Sequence, residues 1–194
     1  MKEKIILFDG TDLSAFTTRS GAPAAWSVED GIMTVTHEDI VSKSTYGDAH
    51  IHVEFRTPYM PEQRGQDRGN SGVYIQGCYE LQVLDSYEEN SLKDNICGAI
   101  YSIAAPLQNA SLAPLEWQTY DIILRAAVCG EDGSVCTPAS VTVLQNGKVV
   151  QNNLTLLSNT PGGVFDHVVE EGPLLLQDHG NPVSFRNIWI QPLD

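Results

Sequence analysis

The chain has 194 residues, of which 42% are hydrophobic and 19% charged, a balance typical of a globular protein. Its formal net charge of −14 would repel a polyanionic backbone, so we expect no nucleic-acid partner. No apolar run reaches the 18 residues that suggest a membrane-spanning helix, so we expect no membrane partner either. The length suits one all-β sandwich, and we predict a single domain over residues 1–194.

The chain begins with a short apolar strand, Ile5–Phe8, which an Asp9-Gly10 turn ends. Four apolar residues are too few for the apolar segment of a secretory signal peptide. We expect a cytoplasmic protein if the chain is complete, and a periplasmic or secreted one if a signal peptide was trimmed.

Two pairs of short alternating runs predict hairpins, because each pair flanks a dipeptide that favours a tight turn. The dipeptides are Asp30-Gly31 and Asn146-Gly147. The flanking runs are Trp26–Val28 with Ile32–Val35, and Val141–Leu144 with Lys148–Val150.

Further strands are predicted where apolar residues alternate between turn signals, and no segment keeps helical spacing for a dozen residues. They are Ala49–Thr57, Gly72–Gln76, Glu80–Leu84, Thr119–Ala126, Leu174–Gln177 and Ser184–Pro192. About a dozen strands at this spacing indicate two stacked antiparallel sheets, an all-β fold.

Three long polar or Gly/Pro-rich stretches connect these strands: Tyr59–Asn70, Ser86–Ile96 and Leu156–Gly172. Loops of this length on a sandwich often carry the binding surface.

One predicted strand is unusually polar on one side. Alternation places Ile51, Val53 and Phe55 on one face. The other face carries the ionisable residues His50, His52, Glu54 and Arg56. Such side chains can simply be solvated on an outer face, or they can belong to a site.

Two later strands favour a site. Glu80 and Gln82 share the outward face of their strand, and Gln177 and His179 share a side if the strand Leu174–Gln177 continues to His179. Carboxylates, amides and imidazoles on rigid strands are groups that bind sugar hydroxyls. Asp178 would point the opposite way from His179, which gives little support to a Ser-His-Asp triad.

Aromatic residues could add stacking surfaces for a sugar ring, although most could equally be core or rim packing. The candidates are Tyr74, Tyr79, Tyr87, Tyr101 and Trp117.

The four cysteines, at 78, 97, 129 and 136, lack the close pairs of zinc sites. We predict free thiols, with a disulfide between Cys129 and Cys136 across a Gly-Glu-Asp-Gly turn as the alternative.

In order along nearly the whole chain, the sequence resembles the 3-keto-disaccharide hydrolase domain family. The matching segments are Leu7–Leu13, Trp26–Gly31, Val53–Arg56, Gly69–Tyr74, Tyr79–Ser86, Gly98–Tyr101, Glu116–Asp121, Asn146-Gly147, Leu176–Gly180 and Phe185–Trp189. The resemblance implies a concanavalin-like jelly-roll sandwich that cleaves glycosides whose sugar a partner 3-oxidoreductase has oxidised at carbon 3.

A ketone at carbon 3 acidifies the neighbouring hydrogen, so a base can remove it and the enolate can expel the anomeric substituent. This chemistry needs a base, an acid and a group that stabilises the enolate oxygen. We assign His179 or Glu80 as base or acid and Arg56 as the enolate stabiliser. We assign Asn70, Gln82, Asp85, Gln177, Tyr101 and Trp117 as substrate contacts.

No cofactor is evident, but a divalent cation held by Glu80, Asp85 or His179 could replace Arg56. The run Glu80-x-Gln82-x-x-Asp85 has the spacing of the laminarinase-type Glu-x-Asp-x-x-Glu signature with its middle acid replaced by an amide. Retaining hydrolysis needs two carboxyl groups about 5 Å apart, so an ordinary β-glucanase is disfavoured. A non-catalytic carbohydrate-binding module remains the main alternative, because the same sandwich carries lectins and hydrolases.

Overall fold

The computed structural model describes residues 2–194 and contains fifteen strands and one short 3₁₀ helix, Gly65–Asp67. The strands are β1 (Ile5–Phe8), β2 (Phe16–Thr18), β3 (Ser27–Glu29), β4 (Ile32–Thr34), β5 (Ile40–Tyr46), β6 (Ala49–Arg56), β7 (Ser71–Ile75), β8 (Tyr79–Val83), β9 (Gln118–Arg125), β10 (Val128–Cys129), β11 (Val135–Thr137), β12 (Ala139–Gln145), β13 (Lys148–Leu156), β14 (Gly172–Leu176) and β15 (Ser184–Pro192). In residues 2–194 no helix has the length and apolar character needed to cross a membrane.

An eight-stranded antiparallel sheet forms one layer, in the order β13-β12-β9-β6-β15-β4-β3, with β1 paired to β15. Its central strand β6 alternates buried and partly exposed residues without a break. Ile51, Val53 and Phe55 therefore point into the core, as the sequence predicts. The outer face carries the alternate residues His50, His52, Glu54 and Arg56.

A five-stranded antiparallel sheet, β2-β5-β14-β7-β8, forms the second layer. Val73, Leu81 and Leu176 from this sheet and Val53 and Ile122 from the other belong to one hydrophobic core. This arrangement confirms the predicted sandwich of two antiparallel sheets.

The two predicted hairpins are present as β3-β4 and β12-β13. Asn146 (φ 53°) and Gly147 (φ 74°) both take the left-handed conformation that a two-residue turn requires. A separate small hairpin, β10-β11, carries Cys129 and Cys136, and all four cysteines are free thiols.

Candidate active site

The outer face of the five-stranded sheet gathers polar side chains from three neighbouring strands. Tyr74 on β7 pairs directly with Glu80 on β8, and Gly72 pairs with Gln82, so the four share a face. Leu175 on β14 pairs with Tyr74, which places Gln177, two residues further on, on the same side. Strand β14 itself ends at Leu176, so His179 reaches the site from the following loop.

These strands and the loops above them enclose a cavity of about 200 Å³, which we call the inner cavity. Six of the nine residues proposed from the sequence line it: Glu80, His179, Asn70, Gln82, Gln177 and Tyr101. Tyr74, Gln66, Pro161 and Gly162 complete its wall.

Glu80 is the acidic residue that lines the inner cavity, and its pKa is strongly shifted. Only 4% of its surface is exposed, and burial, reinforced by the negative charge of Asp39, raises its pKa to about 7. Its backbone is fixed on both sides, because its N–H donates to Thr160 Oγ1 at 2.8 Å and its carbonyl accepts from the Tyr101 N–H at 3.0 Å. A rigid carboxyl group that titrates near neutrality is suited to accept and return a proton.

The Glu80 carboxyl group is embedded in a hydrogen-bond network. Tyr74 Oη lies 2.9 Å from Glu80 Oε2 and 3.0 Å from the Pro161 carbonyl oxygen, so two acceptors compete for its single proton. The same oxygen accepts a hydrogen bond from Gln177 Nε2 at 3.3 Å. With its amide nitrogen facing acceptors, Gln82 donates to Glu80 Oε1 at 3.0 Å. Gln177 Oε1 finds no donor in the part of the chain that the structure describes, so it is left to accept from a ligand hydroxyl or water.

The two nitrogens of His179 hydrogen-bond to no other residue among 2–194, so the exposed ring can meet a ligand at the mouth of the inner cavity. Asn70 is held more firmly. Its N–H donates to Asn181 Oδ1 at 2.8 Å, and its amide donates to the Gln66 carbonyl oxygen at 2.8 Å. The inner cavity thus combines fixed amides with one unpartnered imidazole.

Arg56 and Trp117 do not reach the inner cavity, which corrects the placement expected from the sequence. Both belong to the eight-stranded sheet side, where the Arg56 guanidinium lies 4.8 Å from the Trp117 ring centroid. Arg186 stacks on the same ring at 4.0 Å. Because Arg56 points away from the core on the opposite face of the sandwich, it cannot face an enolate beside Glu80.

Asp85 also lies outside the inner cavity. It follows the end of β8 and forms an ion pair with Arg68, with 3.1 Å between Arg68 Nε and Asp85 Oδ2, while burial raises its pKa. Among residues 2–194, no three His, Cys, Asp or Glu side chains converge as a metal-ligand set. Glu80, His179 and nearby amide oxygens are the groups that could contact a divalent cation, and Asp85 is not one of them.

Three residues that sequence reasoning missed support the site. Gln66 lines the inner cavity from the 3₁₀ helix. Arg19 contacts Asp39 Oδ2 at 2.5 Å and donates to the carbonyl oxygens of Gly162 and Gly163. Asp39 in turn accepts from the Asp178 N–H at 2.8 Å. Arg19 and Asp39 thus join the two loops that carry Gly162 and His179.

Gly72 leaves the space that the Glu80 carboxyl group occupies, because a Cβ at Gly72 would lie 2.8 Å from Glu80 Oε1. We therefore expect Gly72→Ala to displace Glu80 and to lower kcat/KM about 100-fold, the order of loss that a misplacement near 1 Å can cause. Gly47→Ala is the matched control, because its Cβ would meet nothing closer than 3.5 Å. Equal activity of the two variants, both folded by circular dichroism, would contradict this reading of Gly72.

Fold and site together define a carbohydrate-active β-sandwich, and comparisons with known proteins agree. A family model described as the 3-keto-alpha-glucoside-1,2-lyase-like domain matches residues 3–191. The chain belongs to this family, which confirms the resemblance found in the sequence.

Solved structures give the same picture. A candidate glycosyl hydrolase from Parabacteroides distasonis is 44% identical, with a TM-score of 0.91 over 99% of this chain and 84% of that one. A second candidate glycosyl hydrolase from the same organism is 22% identical, with a TM-score of 0.74 over 98% and 94% of the two chains. The carbohydrate-binding module CBM66 of Bacillus subtilis shares the fold at 10% identity, with a TM-score of 0.52 over 91% and 96%. No curated protein matches the chain.

Proposed function

We propose that the protein cleaves 3-keto glycosides in the inner cavity, by elimination through an enolate followed by hydration. The observation that carries the proposal is the Glu80 carboxyl group, whose pKa is raised to about 7 by burial in a cavity that His179 and four amide side chains also line. A ketone at carbon 3 makes the hydrogen on carbon 2 acidic enough for such a base to remove.

In this proposal, ionised Glu80 accepts the proton from carbon 2. The electron pair of the broken C–H bond forms the enolate, with a double bond between carbons 2 and 3 and negative charge on the oxygen at carbon 3. The enolate then re-forms the ketone and makes the double bond between carbons 1 and 2 as the bond from carbon 1 to the leaving oxygen breaks. Protonated His179, at the mouth of the inner cavity, gives its proton to that oxygen. Water then adds across the double bond, so the net change is hydrolysis, and release before this addition gives the lyase product.

Stabilisation of the enolate oxygen falls to neutral donors, since Arg56 lies on the other sheet. Gln66 lines the inner cavity and donates one N–H of its amide to the Asn95 carbonyl oxygen at 2.8 Å, which leaves its second N–H for the enolate oxygen. The N–H groups of Asn70 and Gln82 are donated to protein acceptors and fix the wall around it. Donors fixed in advance around a developing negative charge stabilise it without reorganisation. A sugar 3-oxidoreductase must supply the ketone, because nothing in the proposed steps oxidises carbon 3.

A non-catalytic binding module is the weaker alternative. Sugar-binding grooves are typically shallow and floored by aromatic faces, whereas the ring of Tyr74 is buried and its hydroxyl donates to Glu80 Oε2. A binding module also has no need for a carboxyl group that is costly to ionise.

The test compares a 3-keto glucoside with its unoxidised parent and follows release of the leaving group. We expect release from the 3-keto compound alone, and in deuterium oxide we expect deuterium at carbon 2 of the product. Release from the unoxidised parent alone, or a hydrated product without deuterium at carbon 2, would end the elimination proposal. Binding of both compounds without release would favour the binding module.

The Tyr74 hydroxyl sets the pH at which Glu80 works, because its hydrogen bond favours the ionised carboxylate. Tyr74→Phe removes that bond, and a hydrogen bond to a charged group contributes enough to raise the Glu80 pKa by about one unit. The acidic limb of the profile of kcat/KM against pH should therefore move upward from about 7. A carbon-13 NMR titration of the Glu80 carboxyl checks the same shift without turnover, and an unmoved limb would remove Tyr74 from this role.

A further inference from the structure

Arg19 and Asp39 form an ion pair beside the inner cavity, which we call the Arg19 clamp. Arg19 Nε lies 2.5 Å from Asp39 Oδ2, and the two Nη atoms donate to the carbonyl oxygens of Gly162 and Gly163. Each nitrogen of the planar guanidinium therefore has its own acceptor. Asp39 extends the contact, because its Oδ1 accepts from the Asp178 N–H at 2.8 Å. The clamp thus joins four separate segments of the chain.

The loop of residues 160–164, which the clamp holds, supplies partners to the proposed base. Thr160 Oγ1 accepts from the Glu80 N–H at 2.8 Å. The Pro161 carbonyl oxygen lies 3.0 Å from Tyr74 Oη, the hydroxyl that also reaches Glu80 Oε2. The loop is in close contact with this hydroxyl, since a Cβ at Gly162 would lie 2.8 Å from Tyr74 Oη. A displaced loop would therefore disturb the groups that place the Glu80 carboxyl.

Arg19 is what holds the middle of this loop. The two ends are fixed by the backbone, because the Thr160 N–H donates to the Cys78 carbonyl oxygen at 2.8 Å and the Val164 N–H to that of Gly77 at 2.7 Å. Between these ends lie two glycines, the residues with the greatest backbone freedom. In the part of the chain that the structure describes, their carbonyl oxygens accept hydrogen bonds from Arg19 and from no other residue.

The same clamp reaches the proposed acid through Asp178. Asp178 Oδ1 accepts from the Gly180 N–H at 2.8 Å, which closes a turn around His179. Since the His179 nitrogens have no partner among residues 2–194, the backbone of this turn decides where the ring lies. One ion pair therefore links the surroundings of the base to those of the acid.

The clamp lies outside the space where a ligand binds. Arg19 does not line the inner cavity, but lines an open hollow of about 290 Å³ with Glu38, Asp39 and Asp178. Its side chain is 41% exposed. Exposed ion pairs contribute little to the stability of a fold, so stability alone does not account for these contacts.

We propose that Arg19 is a positioning residue for the cleavage reaction, which acts through Asp39 and the loop of residues 160–164 to hold Glu80 and His179 in one arrangement. The inference rests on the proposed function for the roles of Glu80 and His179. Proton removal and proton donation need both groups in place around one sugar ring. A misplacement near 1 Å can lower the rate about 100-fold.

The first experiment measures the kinetics of Arg19→Ala with a 3-keto glucoside. We expect kcat to fall about tenfold to 100-fold while KM stays within about threefold of wild type. The reason for the split is that Arg19 does not line the inner cavity, whereas Gln66 and Asn70 keep their own hydrogen bonds. A rise in KM at unchanged kcat would overturn the inference, because it would show a role in binding alone.

Added guanidinium tests whether the lost group acts by its contacts. In Arg19→Ala the open hollow keeps the carboxylates of Glu38, Asp39 and Asp178 and gains room for a guanidinium ion. We expect guanidinium chloride, at concentrations well below those that unfold the protein, to restore part of kcat, and sodium chloride at the same ionic strength to restore none. A loss of kcat that guanidinium leaves unchanged would overturn the inference.

Arg125→Ala is the matched control. Arg125 Nη1 lies 2.6 Å from Asp48 Oδ2, and Asp48 Oδ1 accepts from the Ala126 N–H at 2.7 Å, so the pair has the same pattern of contacts. Neither residue lines the inner cavity. We expect Arg125→Ala to keep the wild-type kcat and not to respond to guanidinium. Equal losses in the two variants would overturn the special role of Arg19.

Hydrogen exchange measured by mass spectrometry separates this inference from the proposed function, because it needs no turnover. We expect the amides of residues 160–164 to exchange faster in Arg19→Ala than in wild type, and guanidinium to slow them again. If wild type cleaves no 3-keto glucoside but these changes occur, the clamp stands and the proposed reaction fails. If turnover depends on Glu80 but Arg19→Ala has wild-type kcat and exchange, the clamp is overturned and the reaction stands.

Discussion

Glu80→Gln is expected to abolish cleavage of a 3-keto glucoside while making the protein more stable above neutral pH. Glutamine keeps the shape of the side chain but cannot accept a proton, and a lost general base lowers kcat by about 10²- to 10⁴-fold. The gain in stability has a separate cause, which is the cost of ionising a carboxyl group that is only 4% exposed.

The direction of the pH effect follows from the raised pKa of Glu80, from 4.5 to about 7. Below pH 4.5 Glu80 is protonated in both the folded and the unfolded protein, so its burial carries no cost of ionisation and its contribution to stability is fully present. As pH rises through about 7 this contribution is lost, up to about 3 kcal/mol at 1.36 kcal/mol per pKa unit. Glutamine carries no such penalty, so Glu80→Gln should gain stability between pH 5 and pH 8 relative to wild type.

The measurement is urea unfolding at pH 5 and pH 8, together with kcat at pH 8. Glu54→Gln is the matched control, because Glu54 accepts from Arg186 Nε at 2.6 Å on the opposite face and its pKa is lowered. A group with a lowered pKa stabilises the fold above its unfolded pKa, so Glu54→Gln should lose stability at pH 8 and keep its activity. If Glu80→Gln keeps full activity, Glu80 is not the base.

A substitution that raises stability and removes activity is typical of a functional site, because such sites often lower the stability of the fold. The family assignment alone does not identify Glu80. The proposal for Glu80 rests on its environment, on the hydrogen bonds from Tyr74 and Gln82 and on the burial to which the loop with Pro161 contributes.

The sandwich was predictable because alternation and turn chemistry act locally. Strands β1 and β15 have the predicted bounds, and β6, β8 and β9 differ by one residue at one or both ends. Strand β5 was missed, since Ser42, Lys43 and Ser44 interrupt its apolar pattern. Ser42 is nevertheless buried, because its hydroxyl donates to the Ser44 carbonyl oxygen and accepts from the Leu174 N–H. A polar residue satisfied by another strand cannot be recognised from its own segment.

The site was predictable where neighbouring strands carry it. Glu80 and Gln82 follow from alternation, and the Gln76-Gly77 turn could have predicted the pairing of Tyr74 with Glu80. Arg56 was misplaced because alternation shows which residues share a face but not which sheet a strand joins. Gln66 lies in a single-turn 3₁₀ helix and Arg19 in a loop, and segments this short carry no periodicity that shows where a side chain points.

The assignment of the active site to the five-stranded sheet can be tested by comparing His179→Ala with Arg56→Ala and His50→Ala. His179 lines the inner cavity, whereas Arg56 and His50 belong to the outer face of the eight-stranded sheet, where His50 lies 3.2 Å from Asp121 Oδ1. Loss of a general acid should lower kcat of His179→Ala by about 10²- to 10⁴-fold, and added imidazole should restore part of the rate.

The two variants on the opposite face should retain the wild-type kcat, because the hydrophobic core separates their side chains from the inner cavity. Their effects should be confined to stability, through the lost Trp117 and Asp121 contacts. Kinetics of the three purified variants with one 3-keto glucoside decides the matter. If Arg56→Ala is inactive and His179→Ala is not, the reaction takes place on the eight-stranded sheet. The raised pKa of Glu80 would then reflect its burial alone.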